Sequence, residues 1–143
     1  MHNYSMNTDT QSFIDALPSV PPNEAALYEL IDRYQELEVG EVVMPILSYM
    51  ERHACEDLGS PGPLVHLIEK SYPNYVEMLK VSISRKPTAL TVWMLNRILN
   101  AKLENDMRVA LLNLMKVAAT HPKADNIAQQ EAAEFLKHQN QSI

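Results

Sequence analysis

Three features of the 143-residue sequence predict an all-α fold: apolar side chains recur at helical spacing, strand signals are nearly absent, and prolines punctuate the chain. No long stretch alternates apolar and polar residues, no Asn-Gly or Asp-Gly hairpin occurs, and β-branched residues cluster mainly at Val42-Val43. Nine prolines, Pro18, Pro21, Pro22, Pro45, Pro61, Pro63, Pro73, Pro87 and Pro122, suit first helical turns or the stops before them. They divide the chain into about seven short helices.

A polar N-terminal arm is expected over about residues 1–20. Asn23 then caps a helix of about residues 24–36, whose Leu27, Leu30, Ile31 and Tyr34 fall on one face opposite Glu29, Asp32 and Glu36. A second helix, about 41–55, tolerates Pro45 near its start, buries Val43, Leu47, Met50 and Ala54, and turns Glu41, Ser48 and Arg52 outward. Ser60-Pro61-Gly62-Pro63 resets the chain before a short third helix with Leu64, Val65, Leu67 and Ile68. Tyr72-Pro73 opens a fourth with Tyr75, Val76, Leu79 and Ile83.

Lys86-Pro87-Thr88 opens a fifth helix, about 88–100. Its Leu90, Trp93, Met94, Leu95, Ile98 and Leu99 cover most of the circumference, which predicts a helix sandwiched by neighbours with Trp93 largely buried. A sixth, about 105–120, takes Asn105 as its cap and Val109, Leu112, Leu114, Met115 and Val117 as its apolar side. The seventh, about 124–138, presents Ile127, Ala128, Ala132, Phe135 and Leu136. Short connections make neighbours antiparallel, giving three pairs and a terminal helix in a single domain, 1–143. The uneven pair starts, near residues 23, 61 and 87, describe an irregular HEAT-like stack or a compact helical bundle.

Composition removes several function classes. The longest apolar run is far short of the ~18 residues a membrane span needs, and the start MHNYSMNTDTQ is polar, so neither a span nor a signal peptide is expected and the protein reads as cytoplasmic. Cys55 is the lone cysteine, which excludes an internal disulfide framework. Three glycines leave no room for a phosphate-cradling GxGxxG or GxxxxGK[ST] loop, so no nucleotide cofactor is expected.

Charge is unevenly placed. Residues 1–60 carry 11 acidic side chains against two basic ones, a net −9; residues 61–143 carry seven against ten, a net +3. A concentrated acidic half attracts and orients a basic partner, whereas its plainest role is to keep the protein soluble. The basic residues of the second half are interspersed with acids and not aligned with aromatics, which argues against direct nucleic-acid binding.

Candidate chemistry is sparse. His53 and Cys55 stand two apart on a helix and so face different sides, which leaves no metal site with His66; Cys55 reads as a half-buried small residue. Glu36, Glu38, Glu41, Glu56 and Asp57 read as solvated carboxylates at helix ends, without the contrasting environments that acid-base catalysis requires. Ser and His occur without a GxSxG turn. The chain is not expected to be an enzyme.

Two phrases stand apart, Gly59-Ser60-Pro61-Gly62-Pro63-Leu64-Val65-His66 and Pro87-Thr88-Ala89-Leu90-Thr91-Val92-Trp93-Met94-Leu95-Asn96-Arg97. The first reads as a rigid connector with glycines at positive φ, the second as a packed helix whose Asn96 and Arg97 tie down loops. At these phrases the chain resembles the small helical immunity proteins of bacterial contact-dependent growth inhibition and polymorphic toxin systems, over about residues 24–100. That resemblance implies a cytoplasmic protein that binds and neutralises one toxin domain, often a nuclease, and it carries no catalytic residue with it. The acidic half fits, because a nuclease is basic where it holds phosphate. The toxin-facing residues are then expected to be Glu29, Asp32, Glu36, Glu38, Glu41, Glu56 and Asp57. The alternative is a helical-repeat adaptor for another basic host protein.

Overall fold

A computed structural model describes residues 6–141. Those residues form eight α-helices and one 3-10 turn, with no strand among them. Two compact units divide between Val76 and Glu77.

The first unit starts where a polar arm was expected. Of that arm, residues 1–5 lie outside the described residues, but Thr8–Ala16 is a helix, α1, followed by a 3-10 turn at Leu17–Ser19. Asn7 caps α1 by accepting the Thr10 N–H at 2.8 Å, while Phe13 and Leu17 are buried. The Phe13 ring meets Tyr34 edge-on, with centroids 6.4 Å apart.

Helix α2, Glu24–Arg33, begins at the expected cap, with Asn23 Oδ1 accepting the Ala26 N–H at 2.8 Å. It stops three residues before the periodicity suggests, because Tyr34 adopts an extended backbone as its ring packs on Phe13. The α3 helix, Val39–Arg52, carries Pro45 inside it and buries Val42, Val43, Ile46, Leu47, Tyr49 and Met50. Ala54 falls beyond its end and is half-buried. Short loops lead one to expect α2 and α3 as a pair. Instead α3 packs more extensively on α1 and on α4, Pro63–Glu69, and α2 packs on α4. The added helix α1 occupies the place the pairing rule gave to α2.

The connector before α4 needs both of its glycines. Gly59 and Gly62 take φ of +116° and +90°, and a Cβ on Gly62 would stand 2.2 Å from the Leu58 carbonyl oxygen.

Helix α5, Val76–Arg85, starts on the last residue of the first unit and otherwise belongs to the second, where its Leu79 and Ile83 are buried. The next helix, α6, Ala89–Leu99, opens with a reciprocal cap: Thr88 Oγ1 accepts the Thr91 N–H and Thr91 Oγ1 accepts the Thr88 N–H. Leu95 and Met94 are fully buried, but Trp93 is half-buried, with the Arg97 guanidinium 5.3 Å from its ring centroid. Helix α7, Asn105–Thr120, starts after Glu104 and not from an Asn105 cap. It buries Leu111, Met115 and Ala118, leaving Val109 and Val117 exposed at 57% and 48%. Helix α8, Asn126–Gln141, buries Ala128 and Ala132 and exposes Ile127 at 60%. Small side chains at Ala118, Ala128 and Ala132 let α7 and α8 approach closely.

Asn96, expected to tie down a loop, is joined instead to helix α8. The buried Gln139 amide donates to Asn96 Oδ1 at 2.8 Å and Asn100 Oδ1 at 2.7 Å, and its oxygen accepts from Arg108 Nη2 at 3.0 Å. Arg108 Nη1 donates to the Leu99 carbonyl at 2.8 Å. The network joins α6, α7 and α8 with every partner satisfied, which fixes their register.

Leu95→Ala is expected to cost about 2–5 kcal/mol through the cavity it leaves, whereas Val109→Ala should change stability by less than about 0.5 kcal/mol. Denaturant unfolding followed by circular dichroism reads both. A loss from Val109→Ala as large as the one expected from Leu95→Ala would reverse the face assigned to α7, and a negligible loss from Leu95→Ala would contradict its burial in α6.

Candidate functional site

The boundary between the units separates the charge as sharply as the sequence halves do. Residues 1–76 contain twelve Asp and Glu against Arg33, Arg52 and Lys70, a net −9. Residues 77–143 contain six against nine, a net +3.

The seven acidic residues expected to face a partner divide into two groups. Glu29 and Asp32 stand on the exposed side of α2, opposite buried Leu27 and Leu30, and Glu29 meets Arg33 at 3.5 Å. Glu41, at the start of α3, is exposed, as is Glu56 in the turn after it. Glu36 is exposed too, but it lies in the extended segment after α2 and so leaves the helical stripe on which the sequence placed it. Its backbone is held to the start of α1: its N–H donates to Asp9 Oδ2 at 3.1 Å and its carbonyl accepts from Asn7 Nδ2 at 2.8 Å.

The other two carboxylates hold backbone. Glu38 Oε1 accepts the Asn7 N–H at 2.8 Å, while its own N–H donates to Thr10 Oγ1 at 2.9 Å. Asp57 Oδ1 accepts the Gly59 N–H at 3.0 Å and shapes the glycine turn. Both are therefore structural as well as charged.

Two of the five acidic residues of this unit that sequence reasoning passed over, Glu24 and Asp9, shape the acidic surface. Glu24 is exposed at the first position of α2, and its Oε2 lies 3.2 Å from where a Cβ on Gly59 would stand, so it shares the glycine turn with Asp57. A carboxylate in a first helical turn reads as dipole compensation, which hides any further role. Asp9 carries the α1 side of the brace to residue 36. Only the fold brings positions 27 residues apart together.

Tyr49 anchors the unit from inside. Its hydroxyl donates to the Val20 carbonyl at 2.8 Å, and its ring lies 4.4 Å from that of His53. Burial raises the phenol above its ordinary pKa of 10.0, with Arg52 opposing the shift and Glu56 adding to it. Cys55 is exposed, not half-buried as its size suggested, because α3 has ended before it; His66 is exposed on α4. Among the described residues no three His, Cys, Asp or Glu side chains converge as metal ligands, and no helix is long and apolar enough to cross a membrane.

Compared with protein-family profiles, with curated proteins and with solved structures, the chain has no match. The functional reading rests on charge and geometry.

Tyr49→Phe should cost about 1–3 kcal/mol, because the buried Val20 carbonyl loses its donor. The wild-type phenol is harder to ionise folded than unfolded, so stability should hold below pH 10.0 and fall as pH rises beyond it. Thermal midpoints between pH 8 and pH 11 should therefore drop less in Tyr49→Phe than in the wild type; parallel curves would remove Tyr49 as the cause.

Proposed function

We propose that this chain is an immunity protein, which binds and neutralises a cognate toxin domain in the cytoplasm, the toxin being a basic nuclease that cleaves RNA. The observation that carries this reading is the imbalance of twelve carboxylates to three cations within residues 1–76. Glu29, Asp32, Glu36, Glu41 and Glu56 present their side chains to solvent, so the field they generate is available to a partner. A nuclease lines its substrate path with Lys and Arg to hold phosphate, and an acidic protein surface competes for those cations. Inhibition of this kind needs no chemistry from the inhibitor, only coverage of the toxin. Glu38 and Asp57 contribute charge while they hold the segments that display the others.

The test is co-expression with toxin domains of polymorphic toxins, beginning with any encoded directly upstream, followed by purification of the complex and a growth assay. The chain should co-purify with one such domain and protect the cell. Changing Glu29, Asp32 and Glu36 together to lysine should slow association by about tenfold or more and weaken protection, with the helical spectrum intact because all three are exposed. Loss of the exposed Glu29–Arg33 pair should itself cost at most about 1 kcal/mol. Reversing Lys102, Lys116 and Lys123 to glutamate is the matched control, since all three are exposed, whereas Arg108 belongs to the Gln139 network. Equal losses from both sets, or capture of no toxin domain by the wild type, would overturn the proposal.

A further inference from the structure

Beside Glu29 the first unit holds a concave feature that the acidic surface does not use. The end of α1, the 3-10 turn with the segment that follows it, and one side of α2 from Ala26 to Arg33 line an open groove of about 440 Å³. Val20, Pro21, Ala26 and Leu30 give it apolar walls, and Glu29 and Arg33 stand on its rim. A volume of this size accommodates an aromatic or long aliphatic side chain with space to spare.

The walls are fixed in advance. Pro21 and Pro22 set the backbone φ of the entering chain, Asn23 caps α2, and the Tyr49 hydroxyl pins the Val20 carbonyl at 2.8 Å. A groove that does not have to be ordered on binding keeps more of the contact energy. Its rim is adaptable where its walls are not. The Glu29–Arg33 contact, at 3.5 Å between side chains 78% and 55% exposed, is a weak solvent-screened pair, so Glu29 can exchange Arg33 for an incoming cation at small cost.

We infer that this groove is the anchor site for one apolar side chain of a basic segment in the protein partner, with a neighbouring Lys or Arg of that segment received by Glu29. The inference rests on the reading of the partner as basic and adds the residue type that seats first. Charge complementarity selects this occupant: an apolar segment flanked by carboxylates would find Arg33 on the rim but would enter a unit of net −9, whereas a basic one meets Glu29 and an attractive field. A buried apolar anchor ringed by charge-matched polar contacts is also the arrangement in which interfaces concentrate their affinity.

The test needs no toxin. The full chain is titrated with the peptide acetyl-Lys-Arg-Phe-Lys-Arg-amide and, separately, with the same peptide carrying serine for phenylalanine, each followed by amide chemical shifts. The phenylalanine peptide should bind about tenfold tighter and move the signals of Val20, Ala26 and Leu30. Ala26→Phe, which fills the groove from within α2, should reduce its affinity to that of the serine peptide; Ser19→Arg, at an exposed position on the groove, should do the same without touching α2. Glu29→Gln should weaken both peptides. Equal affinity of the two peptides, or a phenylalanine preference that survives Ala26→Phe and Ser19→Arg, would overturn the inference. So would self-association in sedimentation that Ala26→Phe abolishes, since the occupant would then be a second copy. Should a toxin domain bind Ala26→Phe as it binds the wild type, the groove is excluded and the immunity reading stands. Should no toxin domain bind at all, the peptide result still decides the groove.

Discussion

Twelve carboxylates confined with three cations in residues 1–76 are the constraint on which the organisation of that unit depends. Ion pairing inside the unit cannot neutralise them, and burial without partners would cost several kcal/mol for each. Most of the carboxylates there are accommodated in one of two ways. Asp9, Glu38 and Asp57 accept a backbone N–H, whereas Glu29, Asp32, Glu36, Glu41 and Glu56 stay exposed to water; Glu51 is the buried exception. The unit tolerates the resulting self-repulsion because Phe13, Leu27, Tyr49, Leu64 and their neighbours bury a continuous apolar interior. Under the proposed function the same repulsion becomes useful, because a cationic partner relieves it.

Helix α1 is what turns a set of acidic residues into a fixed surface. Four hydrogen bonds run between residues 7–10 and residues 36–38, and Phe13 packs on Tyr34. They end α2 early, hold the extended segment before α3 and carry Glu36 away from the helical stripe. The 3-10 turn that continues α1 is pinned in turn by Tyr49, and it supplies one wall of the groove beside Glu29. Remove the brace and both the acidic segment and the groove lose their geometry.

Features written in local chemistry were legible in the sequence. Asn23 caps its helix through an atom three residues away, and Gly59 and Gly62 sit where a Cβ would collide with backbone; the Thr88 cap escapes that reading, which places the residue inside the helix it opens. The all-α class followed from periodicity and proline spacing. What remained hidden depended on distant partners. The segment around Phe13 reads as polar until its ring finds Tyr34, and the end of α2 depends on that same contact. Helix α7 is apolar around most of its circumference, so spacing could not choose Leu111, Met115 and Ala118 over Val109 and Val117; packing against α6 and α8 makes the choice. Likewise, sequence showed which residues are acidic but not that Glu38 and Asp57 are engaged by backbone.

Under the proposed function, exposed carboxylates of the first unit bring a basic partner in. The most direct measurement is the association rate of the full chain with a captured toxin domain as ionic strength rises from about 0.1 M to about 1 M, which shortens the screening length from about 10 Å to about 3 Å. Long-range attraction predicts a rate that falls by about tenfold or more across that range while dissociation changes much less. A rate indifferent to salt would contradict the claim and leave the acidic unit as a solubility feature.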